Sequence, residues 1–251
     1  MIWALALGLI AGSFINVVIY RVPRKLGIVF GRSQCPHCER SLFWYDMIPV
    51  ISFFFLGGRC RFCRKPISIL YPLVEIISGL IFLYFYSSLG LNMQALFYVF
   101  IAEVLLILFF TDLEHMILPD AVIIAGFIGA IILRPSLLSL NHIMAAIFFL
   151  ALFFLVWFLS KGKWLGLGDA KFMALIGFIF GLWSASIVLY TAVIIGTVVG
   201  ILVLVAKRGN MKTHLPFGSF LSVACGYYLL FGFGILESTK LNLISRLFNG
   251  F

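Results

Sequence analysis

Lys161-Gly162-Lys163-Trp164-Leu165-Gly166-Leu167-Gly168-Asp169 separates two apolar runs, 142–160 and 170–182. Its glycines let the backbone bend or another group approach closely. Asp169 stands where a hydrophobic helix begins. A carboxylate at membrane depth is costly, so it either caps that helix or has a chemical task. The same alternation of apolar run and short polar link covers the chain. Further runs occupy 2–20, 70–89, 94–111, 120–133, 184–206 and 216–234. A span needs about 20 apolar residues. The pattern predicts an all-α polytopic membrane protein with about eight transmembrane helices.

Composition agrees. The chain has 251 residues, 63% hydrophobic and 11% charged, against roughly 25% charged in soluble domains. Its net charge of +9 would suggest nucleic acid in a soluble protein. In a membrane protein it reports the Lys and Arg of cytoplasmic loops, so the expected partner is the lipid bilayer and no nucleic acid. Residues 1–20 have no basic stretch before them and no small-x-small cleavage pattern, so a retained first span is expected rather than a cleaved signal. Gly8, Gly12 and Ser13 suit close helix packing there. Asn16 needs a partner on a neighbouring helix.

Residues 21–69 form a polar insertion carrying nine of the 18 basic residues. Counting eight spans, and placing this insertion inside, puts fifteen Lys and Arg on the cytoplasmic side and three (Arg134, Lys240, Arg246) on the other. That asymmetry sets the orientation, with both termini outside. Residues 45–56 are too short, and too broken by Pro49, to span. They are expected to pack on the insertion or lie at the membrane interface.

The insertion holds Cys35-Pro36-His37-Cys38 and Cys60-Arg61-Phe62-Cys63. Two such pairs at this separation form tetrathiolate zinc sites in many small modules. The cytoplasm keeps thiols reduced, which argues against disulfides. The alternative is a pair of structural or redox turns without metal. With four thiols available, His37 is expected to face solvent. Cys225, inside an apolar run, reads as a small buried side chain.

The topology puts Asp112, at the end of the 94–111 run, on the same membrane side as Asp169. Two carboxylates sharing a site can divide the roles of acid and base. Helix capping is the alternative for Asp169 and the expected role of Asp120, which follows Pro119. Glu114 and His115 are expected in a solvated loop. Glu103 lies nine positions before Asp112, hence on the opposite helix face. It is expected to pair across helices or line a polar cavity. Glu75 is expected to contact the basic insertion.

Together these segments resemble the bacterial type IV prepilin peptidases, membrane-embedded aspartyl proteases of the GxGD kind. The resemblance rests on residues 12–23 (GSFINVVIYRVP), the two cysteine pairs, 45–50 (YDMIPV), 58–63 (GRCRFC), 71–75 (YPLVE), 112–120, 166–169 and 216–218. It implies removal of the basic leader of a type IV prepilin or secretion pseudopilin after a glycine, at the cytoplasmic membrane boundary. It also implies N-methylation of the new terminus by S-adenosylmethionine. By motif, Asp112 and Asp169 are the protease aspartates. Family members often carry aspartate where this chain has Glu114. The expected organisation is a first span (1–20), a cytoplasmic four-cysteine zinc module associated with methyl transfer (21–69), and a transmembrane protease domain (70–251). The methyl-donor site is expected near the module, with Glu75 a weak candidate. An ion-coupled transporter using intramembrane carboxylates, with Glu103 as its best residue, and a partner-binding zinc scaffold are the competing readings.

Overall fold

The computed structural model describes residues 1–28, 33–206 and 215–232. The basic residues Arg32, Lys207, Arg208, Lys212, Lys240 and Arg246, and the end of the expected last span, lie outside them. The described chain is helical: α1 (Ile2–Arg21), α2 (Ile51–Phe55), α3 (Leu70–Leu89), α4 (Met93–His115), α5 (Asp120–Leu133), α6 (Leu140–Ser160), α7 (Leu167–Val205) and α8 (Phe217–Tyr227), with short 3-10 turns at Trp44–Met47 and Pro135–Leu138 and a π turn at Tyr228–Gly232. No extended strand occurs among the described residues. Five helices (α1, α3, α4, α6, α7) are long and apolar enough to cross a membrane, and α5 and α8 are shorter apolar helices. The chain forms two compact units, Met1–Pro135 and Ser136–Phe251.

In the first unit α1 and α3 pack closely because glycine removes the side chains between them. A Cβ placed on Gly8 would stand 2.7 Å from Gly79 Cα, and one on Gly12 2.6 Å from Glu75 Cα. Ile15 and Ile19 of α1, Val74 of α3, and Leu106 and Phe110 of α4 close a common core. Most polar groups inside it find partners, as low dielectric demands; Glu103 Oε2 is buried without a hydrogen-bond partner. Asn16 donates to the Tyr71 carbonyl at 3.0 Å. The Ser78 hydroxyl lies 2.7 Å from Gly8 O and 2.8 Å from Glu103 Oε1. Ser78 thus links α1, α3 and α4, and Glu103 makes the expected pairing across helices through it. Arg24 closes the α1 boundary, donating to Tyr20 O at 2.7 Å and lying over the Tyr20 ring.

In the second unit α6 packs along α7, where Gly177 brings its backbone against Ala145 O. The α7 run is broken at Gly181, whose φ of 74° and ψ of 176° belong to a region that only glycine adopts readily. The break divides it into 167–180 and 182–205, matching the two expected segments at 170–182 and 184–206. His142 Nδ1 lies 2.8 Å from the Phe178 carbonyl at the break. Beyond it the Tyr228 hydroxyl donates to Ser184 Oγ at 2.8 Å. Cys225 is fully buried, as its apolar surroundings led one to expect.

Three boundary expectations need correction. Asp112 does not end its helix: α4 continues to His115 and stops where Met116 takes a left-handed φ of 53°, its amide returning to Asp112 O. Glu114 and His115 therefore lie in the last helical turn rather than in a loop. Asp120 is the first residue of α5, and Pro119 occupies the cap. A carboxylate in that first turn still meets the positive end of the helix dipole.

Candidate functional site

The cysteine pairs sit on two turns built alike. Cys35 N donates to Arg40 O, Glu39 N to Cys35 O, and Leu42 N to Ser33 O. Twenty-five positions on, Cys60 N donates to Lys65 O, Arg64 N to Cys60 O, and Ile67 N to Gly58 O. Isolated antiparallel bridges, Gln34 with Ser41 and Arg59 with Pro66, keep the same offset. Glu39 and Arg64 both take a left-handed φ, 56° and 59°. Residues 33–42 and 58–67 are thus one knuckle used twice. The repeat was present in the sequence as CxxC recurring at 35 and 60, but the flanking residues share little chemistry.

The two knuckles face each other. All four Sγ atoms lie within 4.8 Å of one another, and Cys35 Sγ is 3.9 Å from Cys63 Sγ. A tetrahedral ion with bonds of about 2.3 Å requires sulfurs about 3.8 Å apart. Cys35 and Cys60 are buried. No described cysteine forms a disulfide, and the four at the module are free thiols that could bind a metal. The Cys60 thiol is lowered to about 7, chiefly by the Cys63 amide. At Cys38 the Arg40 amide acts downward, but burial and the neighbouring thiols push it up to about 11. His37 is exposed, as expected of a residue outside the ligand set. Arg61 and Asp46 brace the second knuckle through contacts of 2.7 and 2.9 Å to Asp46 Oδ1, which hold the guanidinium pKa up.

Glu75 reaches the insertion, as expected. Its Oε2 accepts the Val50 amide at 2.7 Å, and Ser13 of α1 donates to the same carboxylate. Val50 has a φ of 62° and ψ of −49°, with Ile51 N donating to Pro49 O. This is a γ-turn of the rare positive-φ kind, unusual for a β-branched residue. Sequence inspection singled out Pro49 as a breaker and missed Val50, because nothing local in the sequence signals the conformation.

The aspartates belong to different units. Asp112 is buried in the last turn of α4 (5% exposed), directly after the fully buried Thr111. Asp169 is half-buried in the first turn of α7, where its Oδ2 accepts the Gly166 amide at 3.0 Å. That bond is half of a capping box: glycine has no side chain to return the other half. The GxGD step therefore starts a helix and presents a carboxylate at its positive end.

Residues 6–89 match the Bacterial Peptidase A24 N-terminal domain, and residues 98–205 match the Type IV leader peptidase family. A prepilin leader peptidase/N-methyltransferase of Stutzerimonas stutzeri is 32% identical over 94% of this chain and 92% of its own length. The chain belongs to the type IV leader peptidase family. A relative bearing the same description in Bacillus subtilis is 31% identical over 90% of this chain and 92% of its own. One in Myxococcus xanthus is 38% identical over 85% and 66%. No solved structure matches. Within this family the described helices make the chain a multi-pass membrane protein, with the four-thiol cluster between α1 and α3.

Proposed function

We propose that this membrane protein removes the basic leader from type IV prepilins or pseudopilins and methylates the amine it exposes. Family membership carries the proposal. The reaction assigned to Asp112 and Asp169 is peptide hydrolysis. One carboxylate, ionised, takes a proton from water as the water attacks the carbonyl carbon of the leader's last glycine. The other, protonated, hydrogen-bonds the carbonyl oxygen and then protonates the departing amine. Their titration belongs to the pair. Asp112 in the last turn of α4 and Asp169 in the first turn of α7 are each near the polar helix termini that admit water at a membrane boundary.

The organisation in this reading is eight spans in the cytoplasmic (inner) membrane, both termini outside, and both aspartates and the 21–69 module facing the cytoplasm. Residues 70–251 serve as the protease. Zinc, held by Cys35, Cys38, Cys60 and Cys63, locks the two knuckles together and takes no part in hydrolysis. S-adenosylmethionine supplies an electrophilic methyl group to the new N-terminus. Glu75 is better read as structural than as a contact to that donor, because Val50 and Ser13 engage its carboxylate. The family matches give no support to an ion-coupled carrier, and Glu103 is tied to Ser78 between helices.

The test is to incubate the purified chain in lipid with a prepilin, with and without S-adenosylmethionine, and to follow substrate mass. Loss of the leader, plus one methyl mass when the donor is present, is expected. An unchanged prepilin in the presence of folded protein would refute the proposal.

A further inference from the structure

We infer that residues 47–56 form a re-entrant segment that buries Phe54 and Phe55 among lipid acyl chains on the module's side of the membrane. The inference rests on α1 and α3 spanning the bilayer and is independent of the peptidase reading.

Depth comes first. The Val50 amide lies 2.7 Å from Glu75 Oε2, a carboxylate also held by Ser13 of α1. Ser13 precedes the basic end of α1 at Arg21 by eight residues, about 12 Å along a helix. Val50 therefore sits well inside the level at which α1 meets its boundary arginines.

Second, the backbone there is prepared for a medium without water. Irregular backbone survives at membrane depth only when its polar groups are satisfied. Val50 N is taken by Glu75. The amides of Ile51, Ser52, Phe54, Leu56, Gly57 and Gly58 reach carbonyls within the segment.

Third, the exposed side chains suit lipid. No charged residue occurs between Asp46 and Arg59. Phe54 is 71% and Phe55 88% exposed, with Ile51 also outward. Trp44 and Tyr45, both exposed, precede them, an interfacial pair. Arg59, Arg64 and Lys65 follow, all exposed and placed to meet anionic headgroups. Aromatic flank, apolar tip and basic rim succeed one another along the chain, and Val50 ties the tip to α3 through Glu75. That order fits a bilayer rather than a protein partner.

The experiment places p-benzoylphenylalanine at Phe54, at Phe55 or, as an aqueous control, at the exposed Glu39 of the full chain. The protein is reconstituted in phosphatidylcholine–phosphatidylglycerol vesicles, irradiated and analysed by mass. Lipid adducts at 54 and 55 should exceed those at 39 at least tenfold. Equal adducts at all three positions, or crosslinks to a second copy or another protein, would overturn the inference. On the unmodified chain, a diazirine dissolved in the bilayer should label the 47–58 peptide, and failure to label it would overturn the inference equally.

Discussion

Gly12 of α1 and Glu75 of α3 are in backbone contact: a Cβ on Gly12 would stand 2.6 Å from Glu75 Cα and 2.9 Å from Ser78 Cβ. The approach brings Ser13 to the Glu75 carboxylate and Gly8 O to Ser78, so one small residue organises the polar links between α1, α3 and α4. The first prediction follows from that closeness. Gly12→Ala must push the helices apart and should cost about 1–3 kcal/mol, as overpacking does. Gly27→Ala, where an added Cβ meets nothing within 4 Å, should be near neutral. Thermal unfolding in one detergent compares them. Equal midpoints for the two variants would contradict the packing.

Glu75 should matter through Val50. Glu75→Ala leaves the Val50 amide without its acceptor, at a cost of about 1–3 kcal/mol for a buried donor. Local opening of residues 47–58 should therefore rise. Glu75→Gln keeps an acceptor oxygen and should fall between the two. Amide hydrogen exchange of Val50 and its neighbours reads this directly. Faster exchange confined to α3, with 47–58 unchanged, would rule out the link.

The doubled knuckle predicts equivalent losses at equivalent positions. Cys35→Ser and Cys60→Ser should lower bound zinc to a similar extent, measured by metal analysis on anaerobically purified protein. Wild-type protein should carry about one ion. Capture should also weaken as pH falls, because the metal takes thiolates and releases their protons. Cys60, lowered to about 7 by the Cys63 amide, is largely ionised at pH 8, whereas Cys38, held near 11, must release its proton to solvent as the ion binds. Competition against a chromophoric chelator between pH 8 and 6 should show affinity dropping toward acid. A flat profile would argue against thiolate ligation.

Gly181 should resist substitution more than any property of its neighbours suggests. Its backbone lies where a side chain is strained, so Gly181→Ala should cost about 1–3 kcal/mol. His142→Ala, which removes the group facing Phe178 O, should add to local opening at the break. Unfolding midpoints, together with exchange around 178–184, measure both effects.

What could be read in advance divides along physical lines. Apolar runs announced the helices, and small residues at Gly8 and Gly12 announced a close helix pair, because both are local patterns. The CxxC pairs announced four converging thiols for the same reason. The split near Gly181 was visible as an interruption in the apolar run 170–206. By contrast, the end of α4 was misplaced by three to four residues. Helix continuation through Asp112-Leu113-Glu114-His115 depends on Met116 adopting a left-handed cap, which its side chain does not advertise. The positive-φ Val50 was equally hidden, since its partner Glu75 lies 25 residues away and comes near only after α1 and α3 pack.

Asp169 allows its capping and chemical roles to be separated. Its Oδ2 accepts the Gly166 amide, and an asparagine can keep that bond through its carbonyl oxygen while losing the carboxylate. Asp169→Asn should therefore fold with a midpoint close to wild type and abolish prepilin cleavage. Asp169→Ala should abolish cleavage and also lose roughly 0.5–2 kcal/mol at the start of α7. Asp112→Asn should abolish cleavage as well. If either asparagine variant cleaves at the wild-type rate, the two-aspartate mechanism fails, whereas loss of folding in Asp169→Asn would mean that the carboxylate charge at the helix start, and not only its oxygen, holds the GxGD turn.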